Sequence, residues 1–157
     1  MKPTEHRQFT RLLSAAALAT LLGMSPHAWA ANLFEYKLEV TPEQGPVDPT
    51  ITKRYTAAWA NCQKHAATTS ENAACFEAEF RRQDTKLNQT WRETLNRLPL
   101  TEHNSLRTAQ RQWVTDRDPF CRKDADGFAG GTIEPVIYVD CLVELTIRRT
   151  IWLERLR

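Results

Sequence analysis

Residues 132–153 read TIEPVIYVDCLVELTIRRTIWL, a stretch rich in Ile, Val and Leu. Thr132 can cap a helix that tolerates Pro135 in its first turn. The apolar residues of such a helix cover a broad surface, which is typical of a helix at the centre of a bundle. The sequence therefore predicts an all-α fold, a small disulfide-stapled bundle of about four helices, with this segment as its last helix.

The first helix is predicted to begin at Asp48 and Pro49, with Asp48 as its N-cap and Pro49 in the first helical position. It carries apolar residues at helical spacing and is expected to end near Ala67. Residues 31–47 lack periodicity and contain prolines and a glycine, so they are predicted to be an extended lead-in. The helical domain is therefore placed at residues 48–157.

Two helices are predicted between these two. The second begins at the hydroxyl residues 68–70, carries an apolar stripe from Phe76 to Leu98, and is stopped by Pro99. The third begins near Thr101 and aligns Leu106 with later apolar residues along one side. Residues 124–132 contain three glycines and two acids and are predicted to form a loop.

The N-terminus has the features of a secretory signal peptide. Three basic residues precede the apolar run 12–24, and Ala28-Trp29-Ala30 provides small residues at a cleavage site. A run of roughly 13 apolar residues is shorter than the ~20 that span a membrane. We expect cleavage after Ala30. Because no cysteine follows the run for lipid attachment, a periplasmic protein without a membrane anchor is predicted.

Charge argues against some classes of partner. The first 30 residues hold three of the 21 Lys and Arg residues and one of the 19 Asp and Glu residues, so 18 of each sign remain. Nucleic-acid binding requires a dense basic face, and a balanced chain does not predict one. A protein partner is therefore expected.

The four cysteines all follow the signal peptide, and an even number in an exported chain predicts disulfides. Of three pairings, the simplest joins Cys62 to Cys75 and Cys121 to Cys141, because each pair brackets a loop between predicted helices. The alternative is a metal site formed by Cys62, His65 and Cys75. Its spacing matches no standard zinc pattern, so no metal is predicted.

Charged residues interrupt three apolar stripes. Asp84 lies between Phe80 and Leu87, and Arg117 and Arg149 hold equivalent positions on later helices. An unpaired charge in a core costs several kcal/mol, so these residues and Asp118 are predicted to form a partly buried ion-pair network. The alternative is that they lie at stripe edges and extend to water.

The sequence offers little for catalysis. Two histidines remain after signal removal, and neither a Gly-rich phosphate loop nor a recognisable nucleophile is present. An Asp84 and Asp118 pair could act as the acid and base of a glycosidase, but both also fit ion pairs with arginines. We therefore expect a non-enzymatic protein without a cofactor.

Five segments occur in a characteristic order: Asp84-Thr-Lys-Leu87-Asn88, Leu106-Arg107-Thr-Ala109-Gln110-Arg111-Gln-Trp113, Arg117-Asp118 with Cys121, Gly130-Gly131, and Thr146 with Arg149. Over roughly residues 59–156 this order resembles the LprI-type domain. The resemblance implies a small helical domain of the bacterial envelope, in a family with a member that inhibits lysozyme.

The resemblance favours a binding protein, an immunity-like inhibitor of lysozyme or of another peptidoglycan-cleaving enzyme. The alternative is a structural or accessory envelope module that binds another protein. The predicted contact surface is the loop after Cys121, because its acids suit a cationic enzyme and a disulfide would hold it ready. Its residues are Lys123, Asp124, Asp126, Gly130 and Gly131.

Overall fold

The structure of the protein is a computed structural model that describes residues 49–156. Within that range the chain forms five α-helices and no strand, which confirms the all-α prediction. The helices are α1 (Pro49–Thr52), α2 (Ala57–His65), α3 (Thr69–Arg97), α4 (Leu100–Ala125) and α5 (Glu134–Arg155). The signal peptide, the lead-in and the Asp48 cap lie outside the described residues.

The last helix holds the central position. One face of α5 packs on α3 and another on α4, and its residues enter both apolar clusters of the core. Leu142, Leu145 and Leu153 join one cluster with Trp113 of α4, and Val143 and Ile147 join the other with Phe76 of α3. No helix among residues 49–156 is long and apolar enough to span a membrane.

The prediction of one continuous helix from Asp48 to Ala67 is wrong. The chain leaves the helical path after Thr52 and resumes it at Ala57, with Thr56 as the N-cap of α2. The Thr56 hydroxyl oxygen accepts a hydrogen bond from the Trp59 amide at 3.1 Å. This turn packs against α3, so a tertiary contact overrides the local periodicity.

Other helix ends follow from local chemistry. Thr68 caps α3, and a capping box with Glu71 is complete, as the hydroxyl residues predicted. Hydrogen bonds with the Ala67 amide, the Thr68 side chain and the Thr68 amide lower the pKa of Glu71. The predicted cap at Thr132 is wrong, because α5 begins two residues later and Ile133 occupies its N-cap without a side-chain bond. Pro135 lies in the first turn, where its missing N–H costs nothing.

Candidate functional site

Both predicted disulfides are present. Cys62 is joined to Cys75 and ties α2 to α3, and Cys121 is joined to Cys141 and ties α4 to α5. The alternative metal site of Cys62, His65 and Cys75 is wrong, because its two sulfurs are bonded to each other. Among the described residues no group of three or more His, Cys, Asp or Glu side chains could hold a metal ion.

The segment that follows Cys121 differs in part from the predicted loop. Helix α4 continues through Lys123 and Asp124 to Ala125, and a single 3-10 turn then covers Asp126–Phe128. The connection between α4 and α5 is therefore residues 126–133, here called the α4–α5 loop. Lys123 and Asp124 lie on the helix that leads into it, and both are exposed.

Two glycine amides of the α4–α5 loop donate hydrogen bonds. The Gly131 amide donates to the Phe128 carbonyl at 2.9 Å, and the Gly130 amide donates to the Glu134 carboxylate at 2.8 Å. Gly130 has a φ of 77°, a left-handed conformation that other residues adopt at a cost. The loop is thus bonded internally and to the start of α5.

The α4–α5 loop presents apolar side chains beside acidic ones. Phe128 is 46% exposed and Ile133 is 38% exposed, whereas Ala125 and Cys121 at the end of α4 are buried. Asp124 and Asp126 are exposed next to them. A half-apolar rim with acidic neighbours can contact a protein surface of opposite charge.

A half-buried carboxylate, Asp140, precedes Cys141 of the disulfide in the chain. Asp140 accepts a hydrogen bond from the Tyr55 hydroxyl at 2.8 Å. Burial raises the pKa of Asp140 above its ordinary value, the Tyr55 bond opposes that rise, and the charges of Glu144 and Asp124 add to it. Burial and Asp140 also raise the pKa of Tyr55, so its hydroxyl remains a donor.

This arrangement predicts a pH-dependent stability. An acid whose pKa is raised on folding destabilises the folded state when ionised, a penalty that is present above its folded pKa and absent below its unfolded pKa. Asp140→Asn keeps an acceptor for Tyr55 without the charge, so we expect it to raise the free energy of unfolding at pH 7. The gain should disappear as the pH falls to about 4.

Urea unfolding from pH 4 to 8 measures this effect, and Asp126→Asn is the control because its carboxylate is exposed. A gain for Asp140→Asn that does not change with pH would contradict the assignment to a charge.

The structure brings together three of the four residues of the predicted ion-pair network. Arg117 Nη1 lies 3.9 Å from Asp84 Oδ1, and its Nε donates to Asp118 Oδ1 at 2.8 Å. The side chain of Arg117 is 11% exposed, whereas that of Asp84 is 44% exposed. The guanidinium also lies over the rings of Phe80 and Trp113. The arginine is therefore the buried member of this ion-pair network, and Asp84 and Asp118 are the more exposed members.

Arg149 contacts different groups. It is almost fully buried, its Nε donates to Gln110 Oε1 at 2.8 Å, and its guanidinium lies 4.0 Å from the centroid of the Trp152 ring. It also approaches Trp113, the ring that Arg117 covers. Trp113 thus connects the two arginines through packing.

A buried polar centre was missed by the sequence analysis. Glu79 is fully buried in α3, and its carboxylate accepts hydrogen bonds from the Thr56 backbone amide and hydroxyl, at 2.9 and 2.6 Å, and from the Gln83 side-chain Nε2, at 2.7 Å. Arg82 Nε lies 3.4 Å away. The signal was present, because Phe76, Glu79, Gln83 and Leu87 follow each other at spacings of three and four.

The chain matches the model of a known protein family. The family model described as lysozyme inhibitor LprI matches residues 60–153, a range that includes all four cysteines and the α4–α5 loop. An uncharacterized protein of Rhizobium meliloti (strain 1021) is 29% identical over 109 residues, covering 61% of this chain and 78% of that protein. No solved structure matches the chain significantly.

Proposed function

The chain belongs to the lysozyme inhibitor LprI family, and on that basis we propose that it is an exported protein that binds and inhibits a lysozyme or a related peptidoglycan-cleaving enzyme. The family match over residues 60–153 is the observation that carries the proposal. A protein that blocks a peptidoglycan-cleaving enzyme would have an immunity-like role.

Export to the periplasm is part of the proposal. Two disulfides are typical of proteins that fold in an oxidising compartment. The segment 1–30 supplies the leader, with cleavage after Ala30, and residues 48–157 form the inhibitor domain. The released protein then meets its target enzyme in the periplasm.

The α4–α5 loop is proposed as the contact surface. Phe128 and Ile133 supply apolar area for the centre of an interface, and Asp124 and Asp126 supply negative charge at its edge. The disulfide between Cys121 and Cys141 anchors the helices on both sides, which lowers the entropy lost on binding. A c-type lysozyme is cationic, so the charges of the two surfaces are complementary.

Titration of the oxidised protein into c-type lysozyme tests this proposal, with lysis of a cell-wall suspension as the readout. The double change Asp124→Ala with Asp126→Ala should raise the inhibition constant roughly three- to tenfold, since an exposed charge pair contributes ~0.2–1 kcal/mol. Its thermal stability should stay nearly unchanged. Inhibition should also weaken as salt rises, because the Debye length is about 10 Å at 0.1 M.

The matched control is Glu77→Ala with Glu93→Ala, which removes the same charge from exposed positions on α3. This control should leave the inhibition constant unchanged. If no inhibition occurs at micromolar protein, the target is not lysozyme, and a role as an accessory envelope module gains support. If both double variants behave alike, the contact lies away from the α4–α5 loop.

A further inference from the structure

A cavity of about 280 Å³ lies beside the turn between α1 and α2, where that turn meets α3 and α5. Three cations line it, Arg54 from the turn and Arg82 and Lys86 from α3. Ile147 and Thr150 of α5 complete the wall. No acidic residue is among its lining residues, all of which belong to the described part of the chain.

Carboxylates outside the cavity neutralise two of these cations. Arg54 forms two hydrogen bonds with Glu154, at 3.1 and 2.8 Å, and this partner raises the pKa of the arginine. Arg82 is paired through its Nε with the buried Glu79. Within residues 49–156, Lys86 has no hydrogen bond or ion pair, so the cavity retains one uncompensated positive charge.

One of the two donor groups available to a ligand, the Arg82 guanidinium, is held in place before a ligand binds. Glu79 fixes the Nε side of Arg82, and no described residue engages the terminal nitrogens Nη1 and Nη2 of that guanidinium. Lys86 follows Arg82 by four residues, which puts both cations on the same face of α3. Both cations therefore border the cavity, Arg82 half-buried and fixed by Glu79, and Lys86 exposed.

We propose that this cavity binds a single carboxylate, either of a small organic acid or of the C-terminal residue of a peptide. Arg82 Nη1 and Nη2 supply a planar fork that matches a carboxylate, and Lys86 Nζ supplies a third donor and the charge. One uncompensated charge suits a monoanion better than doubly charged phosphate. The volume is below that of pockets for drug-sized ligands, so the bound group is small.

The proposal is tested by titrating ¹⁵N-labelled protein and following its amide signals by NMR. The probes are propionate, acetyl-dialanine with a free carboxylate, acetyl-dialanine amide and inorganic phosphate. We expect saturable shifts around residues 54–56, 82–86 and 147–150 with a Kd of roughly 1 mM for a carboxylate probe. The amide should give none. Tighter binding of acetyl-dialanine identifies a peptide terminus, and equal binding identifies the carboxylate alone.

Variants connect the binding to the named groups. Lys86→Gln should raise the Kd about tenfold, since a hydrogen bond to a charged group contributes ~1.5–3 kcal/mol, and Lys86→Arg should restore binding. Arg81→Gln is the control, because Arg81 is exposed on α3 and does not line the cavity. Equal shifts with the amide probe, tighter binding of phosphate, no binding of either carboxylate, or an equal loss with Arg81→Gln would each overturn the proposal.

Discussion

Replacement of Glu79 by alanine should lower the free energy of unfolding by about 3–5 kcal/mol, because it removes a buried carboxylate that accepts three hydrogen bonds, and each buried donor left without a partner costs ~1–3 kcal/mol. The carboxylate accepts three hydrogen bonds from Thr56 and Gln83 and pairs with Arg82. Without it, the N–H and hydroxyl that hold the turn between α1 and α2 lose their acceptor, and buried donors without partners are costly. Such a loss is a large part of the 5–15 kcal/mol typical of a domain.

Urea unfolding of Glu79→Ala beside Glu77→Ala provides the measurement and its control. Glu77 lies on the same helix with an exposed side chain, so its removal should cost less than about 0.5 kcal/mol. Glu79→Gln should fall between the two, since its amide retains one acceptor oxygen. A loss below about 1 kcal/mol for Glu79→Ala would show that water replaces the carboxylate and that the turn is held by other contacts.

The parts of the fold that depend on neighbouring residues could be predicted from the sequence. Helix α3 was recognisable from its hydroxyl cap, its apolar spacing and Pro99, and α5 from its broad apolar surface. The pairing of neighbouring cysteines followed from the same helix layout. The helices are set by contacts within a few turns, which a single sequence displays, and each disulfide joins helices that follow each other in the chain.

The break between α1 and α2 could not be found in this way. Residues 51–62 keep helical spacing, and the chain turns at 53–56 because Thr56 bonds Glu79, which lies 23 residues further along. A contact at that distance in sequence leaves no local mark.

In the candidate site too, the sequence predicts what depends on local spacing and does not predict what depends on packing between helices. The sequence predicts the buried charge of the α3 stripe at Asp84, whose side chain is half exposed, whereas the fully buried acid is Glu79, one position before Phe80. Helical spacing alone allows both positions, because a stripe is wide enough to include residues on either side of its centre. The contacts of Arg149 with Gln110 and Trp152 likewise depend on how α4 and α5 pack.

The disulfide between Cys121 and Cys141 should stabilise the fold and support inhibition, and the two effects can be measured separately. It closes 20 residues, so the change Cys121→Ala with Cys141→Ala should lower the free energy of unfolding by about 3 kcal/mol through chain entropy. It should also raise the inhibition constant about tenfold, since each side chain that must be ordered on binding costs ~0.5–1.5 kcal/mol.

The change Cys62→Ala with Cys75→Ala is the control for the effect on inhibition. The disulfide that it removes closes 13 residues and therefore stabilises the fold by a similar entropy, but it ties α2 to α3. Urea unfolding should show comparable losses for the two double variants, of about 3 kcal/mol each. Inhibition, assayed at a temperature where both are folded, should weaken only when Cys121 and Cys141 are replaced, since only that bridge flanks the α4–α5 loop. Equal weakening in both variants would mean that inhibition follows overall stability and that the disulfide does not preorganise the α4–α5 loop for binding.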